Sequence, residues 1–191
     1  SNNQISGIAQ DQSGNYWLSS QSGLTQMTFL NSQPLCRSFT TDDGLINNNV
    51  KSIAYANDRT LWIATDGGIS RMKPPGWNDK AAGLNKSTFE FKNYSKVNGL
   101  IDDAVNCIFV DRDGRIWCGT RGGVSMMLGE NAFVNINEGA GLINNEVSAI
   151  IQDRKGNIWF GTLGGLAKTD MKKMVTYDEV EGLFDKSIHC L

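Results

Sequence analysis

The stretch that decides the fold is VNCIFVDRDGRIWCGTRGGV, residues 105–124. Its first part, Val105 to Val110, is dominated by β-branched and aromatic residues and is typical of a strand. Asp111 to Gly114 consists mostly of turn-forming residues, and a mainly apolar run, Arg115 to Gly119, follows it directly. We therefore expect two antiparallel strands joined by a tight turn.

The residues after this hairpin extend the same pattern. Thr120 to Gly123 ends in two glycines, which suit turn positions with positive φ, and it precedes a third expected strand, Val124 to Met127. A fourth strand is expected around Phe133 to Asn137, before the pair Gly141-Leu142. The unit thus contains four short strands, which we name A to D in chain order.

The same unit occurs four times. Its tryptophans, spaced 45, 55 and 42 residues apart, are Trp17, Trp62, Trp117 and Trp159. Nine residues before each tryptophan stands an isoleucine: Ile8, Ile53, Ile108 and Ile150. Seven residues after each stands an aliphatic residue preceded by glycine: Leu24, Ile69, Val124 and Leu166. Four strands in about 40–45 residues is the period of a propeller blade, so the sequence predicts an all-β fold, a β-propeller.

The repeat also predicts where the blades begin and end. We place four four-stranded blades at residues 3–46, 47–101, 102–143 and 144–184, with a fifth blade starting at 185–191. The chain opens in a strand A, Gln4 to Gln10, and closes in an extra inner strand, Ser187 to Leu191. This favours part of a larger ring. Because an open arc exposes apolar faces, we expect either a homodimer formed through the open propeller edges or further blades that complete the ring.

Small residues stand one position before each isoleucine, and a cysteine occupies the same place near the C-terminus: Gly7, Ser52, Cys107, Ala149 and Cys190. Strand A is the innermost strand of a blade, where backbones converge, so a small residue fits there. We therefore interpret Cys107 and Cys190 as packing residues, and Cys118 as core. With Cys36, all four cysteines are expected to be free and mostly buried. The tryptophans are expected to form inter-blade core, with stacking on a ligand as the alternative.

Composition excludes several classes of function. The chain has 191 residues and a net charge of −2, and its 18 basic residues are scattered, which argues against nucleic acid as a partner. No apolar run reaches the ~18–20 residues of a membrane span, so no membrane contact is expected of this segment. One histidine, His189, and no C-x-x-C pair leave little for a metal site, and no cofactor is expected.

Two stretches of the sequence closely resemble the repeat of a known family. Residues 105–124 and 147–166, the second with DRKGNIWFGT at 153–162, closely resemble the two-component regulator propeller repeat. The first unit departs from the repeat at Ser19-Ser20, where Gly-Thr is usual. The second departs at Ala56 and Arg59, where Asp and Gly are usual, so its A–B turn is open to a different conformation. The resemblance extends over nearly the whole chain.

This resemblance implies a periplasmic sensor region of a hybrid two-component histidine kinase, of a kind linked to the sensing of oligosaccharides. It implies a non-catalytic chain that passes a signal to kinase domains elsewhere, with the other domains of the parent sensor as partners. An oligosaccharide or another small polar ligand is the expected binding partner. No kinase, receiver or DNA-binding pattern occurs in these 191 residues.

In an up-and-down blade, the D–A and B–C connections emerge on one face, and here both are polar. The candidate ligand-binding residues are Asn48, Asp66, Asp103, Arg121 and Asn145. The alternative is that Asn and Asp stand in these loops because they favour tight turns. The residue at one position of the B–C turn differs in every blade, which favours recognition: Gln21, Asp66, Arg121 and Leu163. It follows Ser-Ser in the first unit, Ala-Thr in the second and Gly-Thr in the other two.

Other functions stay open on the sequence alone. A propeller hydrolase or lyase needs an acid or base, and the candidates are His189, near the end of the chain, or the carboxylates Asp66, Asp102 and Asp103. A purely structural spacer is the third possibility. The longer second unit carries Trp77, which either packs on its own loop or contacts a partner. The turn at Asp111 has too few acidic ligands for a closed calcium site.

Overall fold

The computed structural model describes residues 4–73 and 89–191, and these contain sixteen strands. The strands form four sheets, each made of four antiparallel strands that follow one another in the sequence. Trp77 and its neighbours, residues 74–88, lie outside the described residues. The expected all-β architecture of four four-stranded blades is therefore confirmed.

The first compact unit ends at Tyr94 and contains two blades. Its strands are β1 Ile5–Gln10, β2 Tyr16–Ser20, β3 Gly23–Leu30, β4 Gln33–Phe39, β5 Val50–Tyr55, β6 Leu61–Thr65, β7 Gly68–Lys73 and β8 Glu90–Tyr94. The first strands of its two blades, β1 and β5, lie beside each other. The core between these blades contains Trp17, Leu24 and Phe39 of the first blade and Leu61 and Ile63 of the second.

The second compact unit begins at Ser95 and also contains two blades. Its strands are β9 Val105–Val110, β10 Ile116–Thr120, β11 Val124–Gly129, β12 Ala132–Ile136, β13 Val147–Gln152, β14 Ile158–Thr162, β15 Gly165–Thr169 and β16 Met174–Tyr177. The strands β9 and β13 lie beside each other. Trp117 and Val124 of the third blade pack against Ile158 and Phe160 of the fourth.

Close approach of the inner strands explains the small residues of strand A. Each of them pairs with another small residue on strand B: Gly7 with Ser19, Ser52 with Ala64, Cys107 with Gly119 and Ala149 with Gly161. A Cβ atom at Gly119 would lie 2.5 Å from Sγ of Cys107 and 2.7 Å from Cγ1 of Val147 on the next blade. The largest residue of the strand A set thus faces a residue with no side chain.

The tryptophans divide into two environments. Trp17 and Trp117 are 2% and 0% exposed in the cores between blades, so for these two the expected core role is confirmed. Trp62 stacks on Tyr94, with 6.0 Å between the ring centroids. Trp159 stacks on Tyr177 at 5.7 Å and is only half-buried. A stacked tyrosine from strand D thus covers part of each of these two indole rings.

The A–B turns share one backbone conformation, including the turn without the usual sequence. Gly114 N–H donates to the carbonyl of Asp111 at 2.9 Å, and Arg59 N–H donates to the carbonyl of Ala56 at 3.0 Å. Arg59 adopts φ 67°, the left-handed conformation that glycine adopts in the other units. The A–B turn of the second blade therefore keeps this backbone conformation without the usual aspartate and glycine.

The expected inner strand at Ser187 to Leu191 differs from the structure, because these residues form no strand. The segment nevertheless lies next to the fourth blade. Ile188 N–H donates to the carbonyl of Thr162 at 3.0 Å, and Ser148 Oγ donates to the carbonyl of Ile188. A β-ladder needs a partner strand, and none of the described residues supplies one for this segment.

All four cysteines are free thiols, but the expectation that they are mostly buried is wrong for two of them. Cys118 is buried and Cys107 is half-buried, whereas Cys36 and Cys190 are exposed. Cys36 lies on the outermost strand β4, and Cys190 lies in the C-terminal segment that forms no strand. Cys190 is therefore not the packing residue that its alignment with Cys107 predicts.

Within residues 4–73 and 89–191, no helix is long and apolar enough to cross a membrane.

Candidate functional site

Each D–A connection begins with a short 3-10 turn that ends at a glycine in the left-handed conformation. The turns are Thr41–Asp43, Lys96–Asn98 and Glu138–Ala140, followed by Gly44, Gly99 and Gly141. A loop side chain seven residues on accepts the first N–H of each turn. These bonds are Thr41 N to Asn48 Oδ1 at 2.8 Å, Lys96 N to Asp103 Oδ1 at 2.7 Å, and Glu138 N to Asn145 Oδ1 at 2.9 Å.

Three of the five candidate binding residues thus have a structural task. One side-chain oxygen of Asn48, of Asp103 and of Asn145 satisfies a backbone donor at the start of a turn. This supports turn chemistry as the reason for these residue types. Their part in ligand binding remains a prediction.

The residue directly before each of Asn48, Asp103 and Asn145 also stabilises the loop. Asn47, Asp102 and Asn144 accept the backbone N–H two residues further on, at 2.8, 2.8 and 2.9 Å. The same residues lie against the B–C turn of their own blade. A Cβ atom at Gly67, Gly122 or Gly164 would lie 3.1, 3.2 or 2.7 Å from Cβ of Asn47, Asp102 or Asn144. In blades two to four, the D–A connection and the B–C turn therefore form one surface, which we call the loop face of the blade.

The loop face of the second blade carries a cluster of charged and amide groups. Asp66, in the B–C turn, forms an ion pair with Lys51 and accepts a hydrogen bond from Nδ2 of Asn49. The side chains of Lys51 and Asp66 are 23% and 36% exposed. Asp66 is one of the predicted residues, whereas Lys51 and Asn49 were not. Lys51 could have been found from the sequence, because no other residue at its repeat position is a lysine or an arginine: Ser6, Asn106, Ser148 and His189.

The loop face of the third blade carries Arg121, which is exposed. Its backbone N–H donates to the carbonyl of Ala104 at 3.2 Å and so holds the B–C turn on the D–A connection. The fourth blade places Leu163 at the same position, 39% exposed, with the equivalent bond to Glu146 at 3.2 Å. The candidates Asp103 and Arg121 therefore share one loop face, and Asn48 and Asp66 share another.

Polar residues of strand A link neighbouring blades below this surface. Ser6 Oγ donates to the carbonyl of Val50 at 2.7 Å, and Asn106 Nδ2 donates to the carbonyl of Val147 at 3.1 Å. Ser148 makes the equivalent bond to Ile188. Across the described ranges, no group of three His, Cys, Asp or Glu residues is placed to hold a metal ion. The groups that the loop faces present are the charged and amide side chains described above.

Several solved structures have a similar fold. The extracellular domain of a protein described as a hybrid two-component system from B. thetaiotaomicron matches 96% of this chain with a TM-score of 0.82 at 22% identity. PorZ, a surface component of the type-IX secretion system of Porphyromonas gingivalis, matches 96% with a TM-score of 0.67 at 16% identity. Virginiamycin B lyase from Staphylococcus aureus matches 92% with a TM-score of 0.64 at 13% identity.

This chain is shorter than each of these relatives. It spans 24% of the B. thetaiotaomicron chain, 28% of the PorZ chain and 57% of the lyase chain. Among curated protein sequences, none matches it significantly. At identities this low, the likeness establishes the propeller fold.

A family model matches three of the four repeats. The family model described as "Two component regulator propeller" matches three segments, residues 44–67, 99–122 and 141–164. Each segment runs from the glycine that ends a 3-10 turn, through strands A and B, to the B–C turn. These are the segments that build the loop faces of the second, third and fourth blades. Three of the four repeats in this chain therefore match the repeat of the two-component regulator propeller family.

Proposed function

We propose that this chain is part of the extracellular, periplasmic sensing region of a hybrid two-component sensor, and that its loop faces bind an oligosaccharide or another small polar ligand. The family repeats and the fold likeness to an extracellular two-component domain support this proposal. The chain itself binds without catalysis. Other domains of the parent sensor carry the signal onward to the kinase.

The observation that carries the proposal is a variable residue on an invariant turn. Thr65, Thr120 and Thr162 each donate from Oγ1 to the carbonyl of the glycine three residues on, at 2.8 Å in all three blades. The residue directly after the threonine is Asp66, Arg121 or Leu163. Because the turn is the same with an acidic, a basic and an apolar side chain, turn formation does not dictate this residue. A recognition surface explains such variation.

The chemistry of the second blade suits a hydroxyl-rich ligand. A sugar hydroxyl both donates and accepts hydrogen bonds, and the cluster offers a carboxylate acceptor, Asp66, beside an ammonium donor, Lys51, and the amide of Asn49. The ion pair holds both charged groups in place before a ligand arrives, so less side-chain entropy is lost on binding. Both side chains are partly exposed and can reach a ligand.

The fold likeness to virginiamycin B lyase makes a catalytic propeller the second candidate. The chain has one histidine, His189, which is exposed in the C-terminal segment. The carboxylates Asp102 and Asp103 each accept a backbone N–H, at 2.8 and 2.7 Å. Both carboxylates are therefore engaged in holding the D–A connection, which favours binding over turnover.

The test is calorimetric titration of the 191-residue protein with neutral and acidic oligosaccharides, with chromatography of the same samples to detect products. We expect binding without product. Asp66→Asn and Lys51→Met should each weaken the affinity about tenfold or more, since a hydrogen bond to a charged group contributes about 1.5–3 kcal/mol. The matched controls Asp113→Asn and Lys172→Met change exposed residues of the A–B and C–D turns, away from the loop faces, and should bind like the unaltered protein.

Each other outcome contradicts a part of the proposal. Product formation would show catalysis. Binding that is unchanged in Asp66→Asn and Lys51→Met would exclude the loop face of the second blade. A complete lack of binding across the panel would reject the ligand-sensing role and favour a structural spacer.

A further inference from the structure

The A–B and C–D turns of a blade lie at the same end of its sheet, because its four strands are antiparallel and consecutive. This end is opposite the loop face, and we call it the turn face. In the fourth blade the two turns are residues 153–156 and 170–173. Neighbouring strands are about 5 Å apart, so these turns lie about 10 Å from each other. The turn face of the fourth blade carries exposed cations at both turns: Arg154, Lys155, Lys172 and Lys173.

Arg112, in the A–B turn of the third blade, lies beside these cations. Its backbone N–H donates to Oε1 of Gln152 at 3.0 Å, and its Nη1 donates to the carbonyl of Arg154 at 3.4 Å. Nε2 of Gln152 also donates to the carbonyl of Gly156 at 3.2 Å, so one glutamine joins the two A–B turns. Arg112 is exposed, and the carbonyl that its guanidinium contacts carries no full charge. The positive charge of Arg112 therefore adds to that of the neighbouring turn.

The carboxylate of the fourth A–B turn is engaged within the turn itself. Oδ1 of Asp153 accepts the backbone N–H groups of Lys155 and Asn157, both at 2.9 Å. Oδ2 accepts Nδ2 of Asn157 at 2.7 Å and the indole N–H of Trp159 at 3.0 Å. All these donors belong to the turn or to the strand that follows it. The carboxylate therefore holds the turn in shape, while the basic side chains extend into solvent.

The C–D turn has the same arrangement. Oδ1 of Asp170 accepts the backbone N–H groups of Lys172 and Lys173, both at 2.9 Å. The ion pairs found across residues 4–73 and 89–191 include none of the five cations of this surface: Arg112, Arg154, Lys155, Lys172 and Lys173. The surface thus has a surplus of positive charge that its own carboxylates do not pair.

Turn formation does not require these cations. Gly14 N–H donates to the carbonyl of Asp11 at 3.0 Å, and Gly156 N–H donates to that of Asp153 at 3.1 Å, as in the other two A–B turns. The second and third residues of the four turns nevertheless differ: Gln12-Ser13, Asn57-Asp58, Arg112-Asp113 and Arg154-Lys155. The C–D turn of the first blade, residues 30–33, has no charged residue. A binding surface explains cations that the turns do not need.

The same end of these two blades exposes apolar side chains. Met171, at the tip of the fourth C–D turn, is 46% exposed. It adopts φ 71°, the left-handed conformation that favours glycine or asparagine, and its N–H donates to Oγ1 of Thr169 at 3.0 Å. Leu128, beside the C–D turn of the third blade, is 62% exposed. The turn therefore does not explain a methionine at this position, and contact with an apolar medium does.

The combination of cations and apolar tips indicates a lipid surface. Sites for small ligands are concave, whereas these groups stand on the tips of turns from two blades. A soluble polyanion would pair with the cations but would leave Met171 and Leu128 in water. An anionic bilayer offers phosphates to arginine and lysine, and beneath them an apolar boundary for short apolar side chains.

We propose that the turn face of the fourth blade, with Arg112 of the third, binds the surface of an anionic phospholipid membrane. The five cations contact headgroup phosphates, and Met171 and Leu128 enter between the headgroups. The protein lies on the membrane without crossing it. The loop faces of these blades are at the other end of the sheets and stay open, so this surface is additional to the proposed ligand site and independent of it.

The test is cosedimentation of the 191-residue protein with vesicles of phosphatidylcholine that contain phosphatidylglycerol, and with vesicles of phosphatidylcholine alone. We expect binding to the anionic vesicles that weakens as the salt concentration rises, and no binding to the neutral ones. Arg154→Gln with Lys155→Gln, and Lys172→Gln with Lys173→Gln, should each weaken binding about 25-fold, since each basic residue near an anionic surface contributes about fivefold. Met171→Asn keeps the turn and should weaken binding several-fold.

The matched control is Lys96→Gln with Lys186→Gln. These lysines are exposed at the other end of the sheets, and the pair removes the same charge, so this variant should bind like the unaltered protein. Urea unfolding should be the same for all variants, because every changed side chain is exposed.

Four outcomes would overturn the proposal. They are no binding to anionic vesicles, equal binding to neutral vesicles, an equal loss in the control pair, and binding to soluble dextran sulfate without any to vesicles. The last outcome would assign the turn face to an acidic polysaccharide. No oligosaccharide is present in the vesicle assay, so its failure leaves the calorimetric test of the loop faces unaffected.

Discussion

The indole nitrogen of Trp117 donates a hydrogen bond to Oδ2 of Asp111, with 2.9 Å between the two atoms. The other oxygen of this carboxylate accepts the backbone N–H groups of Asp113 and Arg115, at 3.0 and 2.9 Å. Trp17 and Trp159 make the same bond to their turn aspartates, at 3.1 and 3.0 Å. One carboxylate thus fixes the A–B turn and the orientation of a tryptophan together.

Asp111→Asn should lower the free energy of unfolding by about 1–3 kcal/mol, because an asparagine cannot accept all the donors that meet this buried carboxylate. Urea unfolding followed by tryptophan fluorescence measures the change. Asp113→Asn is the matched control in the same turn, since its side chain is 67% exposed and pairs only with Arg115 at the surface. That control should change stability by less than about 0.5 kcal/mol, and equal losses in both variants would contradict the role assigned to Asp111.

The same carboxylates predict how stability depends on pH. Burial raises the pKa of Asp111, but hydrogen bonds from Trp117 and Arg115 outweigh it and hold the pKa below its ordinary value. Hydrogen bonds from Asn157 and Trp159 lower the pKa of Asp153 to about 2. The unfolded chain therefore binds these protons more tightly than the folded one. Their contribution is complete above the unfolded pKa of about 4 and is lost as the pH falls towards about 2.

We expect the free energy of unfolding to fall between about pH 4 and pH 2, with a shallower fall in Asp153→Asn, which has lost one of the titrating groups. Urea unfolding at a series of pH values measures both slopes. Gln12→Ala, which changes an exposed residue without a titrating group, should keep the slope of the unaltered protein. An unchanged slope in Asp153→Asn would show that its lowered pKa does not stabilise the fold.

The thiols should separate into two classes of reactivity. Burial raises the pKa of the Cys107 thiol to about 12 and raises the pKa of Cys118 as well, so neither forms a thiolate at neutral pH. Cys36 and Cys190 are exposed. Iodoacetamide should therefore modify Cys36 and Cys190 in the native protein, and Cys107 and Cys118 only after unfolding, as mass spectrometry of peptides would show. Rapid native labelling of Cys107 would contradict its burial beside Gly119.

Gly119→Ala should lower the free energy of unfolding of the second compact unit, which begins at Ser95, by about 1–3 kcal/mol. The added methyl group would overlap Sγ of Cys107 and the side chain of Val147. Thermal unfolding measures the loss. Gly129→Ala is the matched control, since a Cβ atom there meets nothing within 4 Å. Adding Cys107→Ser to Gly119→Ala recreates the Ser52–Ala64 pair of the second blade and should recover part of the stability. A double variant as unstable as the single one would show that Val147 alone causes the clash.

Local patterns were predictable from the sequence. The strand expected at Val105 to Val110 occurs as Val105–Val110, because its residue types and flanking turns act within a few residues. The caps at Asn48 and Asn145 could also have been expected from their spacing to the preceding glycine. Lys51 was overlooked, although its charge departs from the other residues at that repeat position.

The sequence by itself determined the blades, because alternating residues, turn glycines and the repeated tryptophan act between neighbours in the chain. Only the tertiary structure decided which faces are covered, why Ser187 to Leu191 forms no strand, and that Asp66 meets Lys51. The burial of a blade face, the pairing of a strand and the formation of an ion pair each depend on a partner that lies close in space. A repeat position alone does not say whether that partner is present.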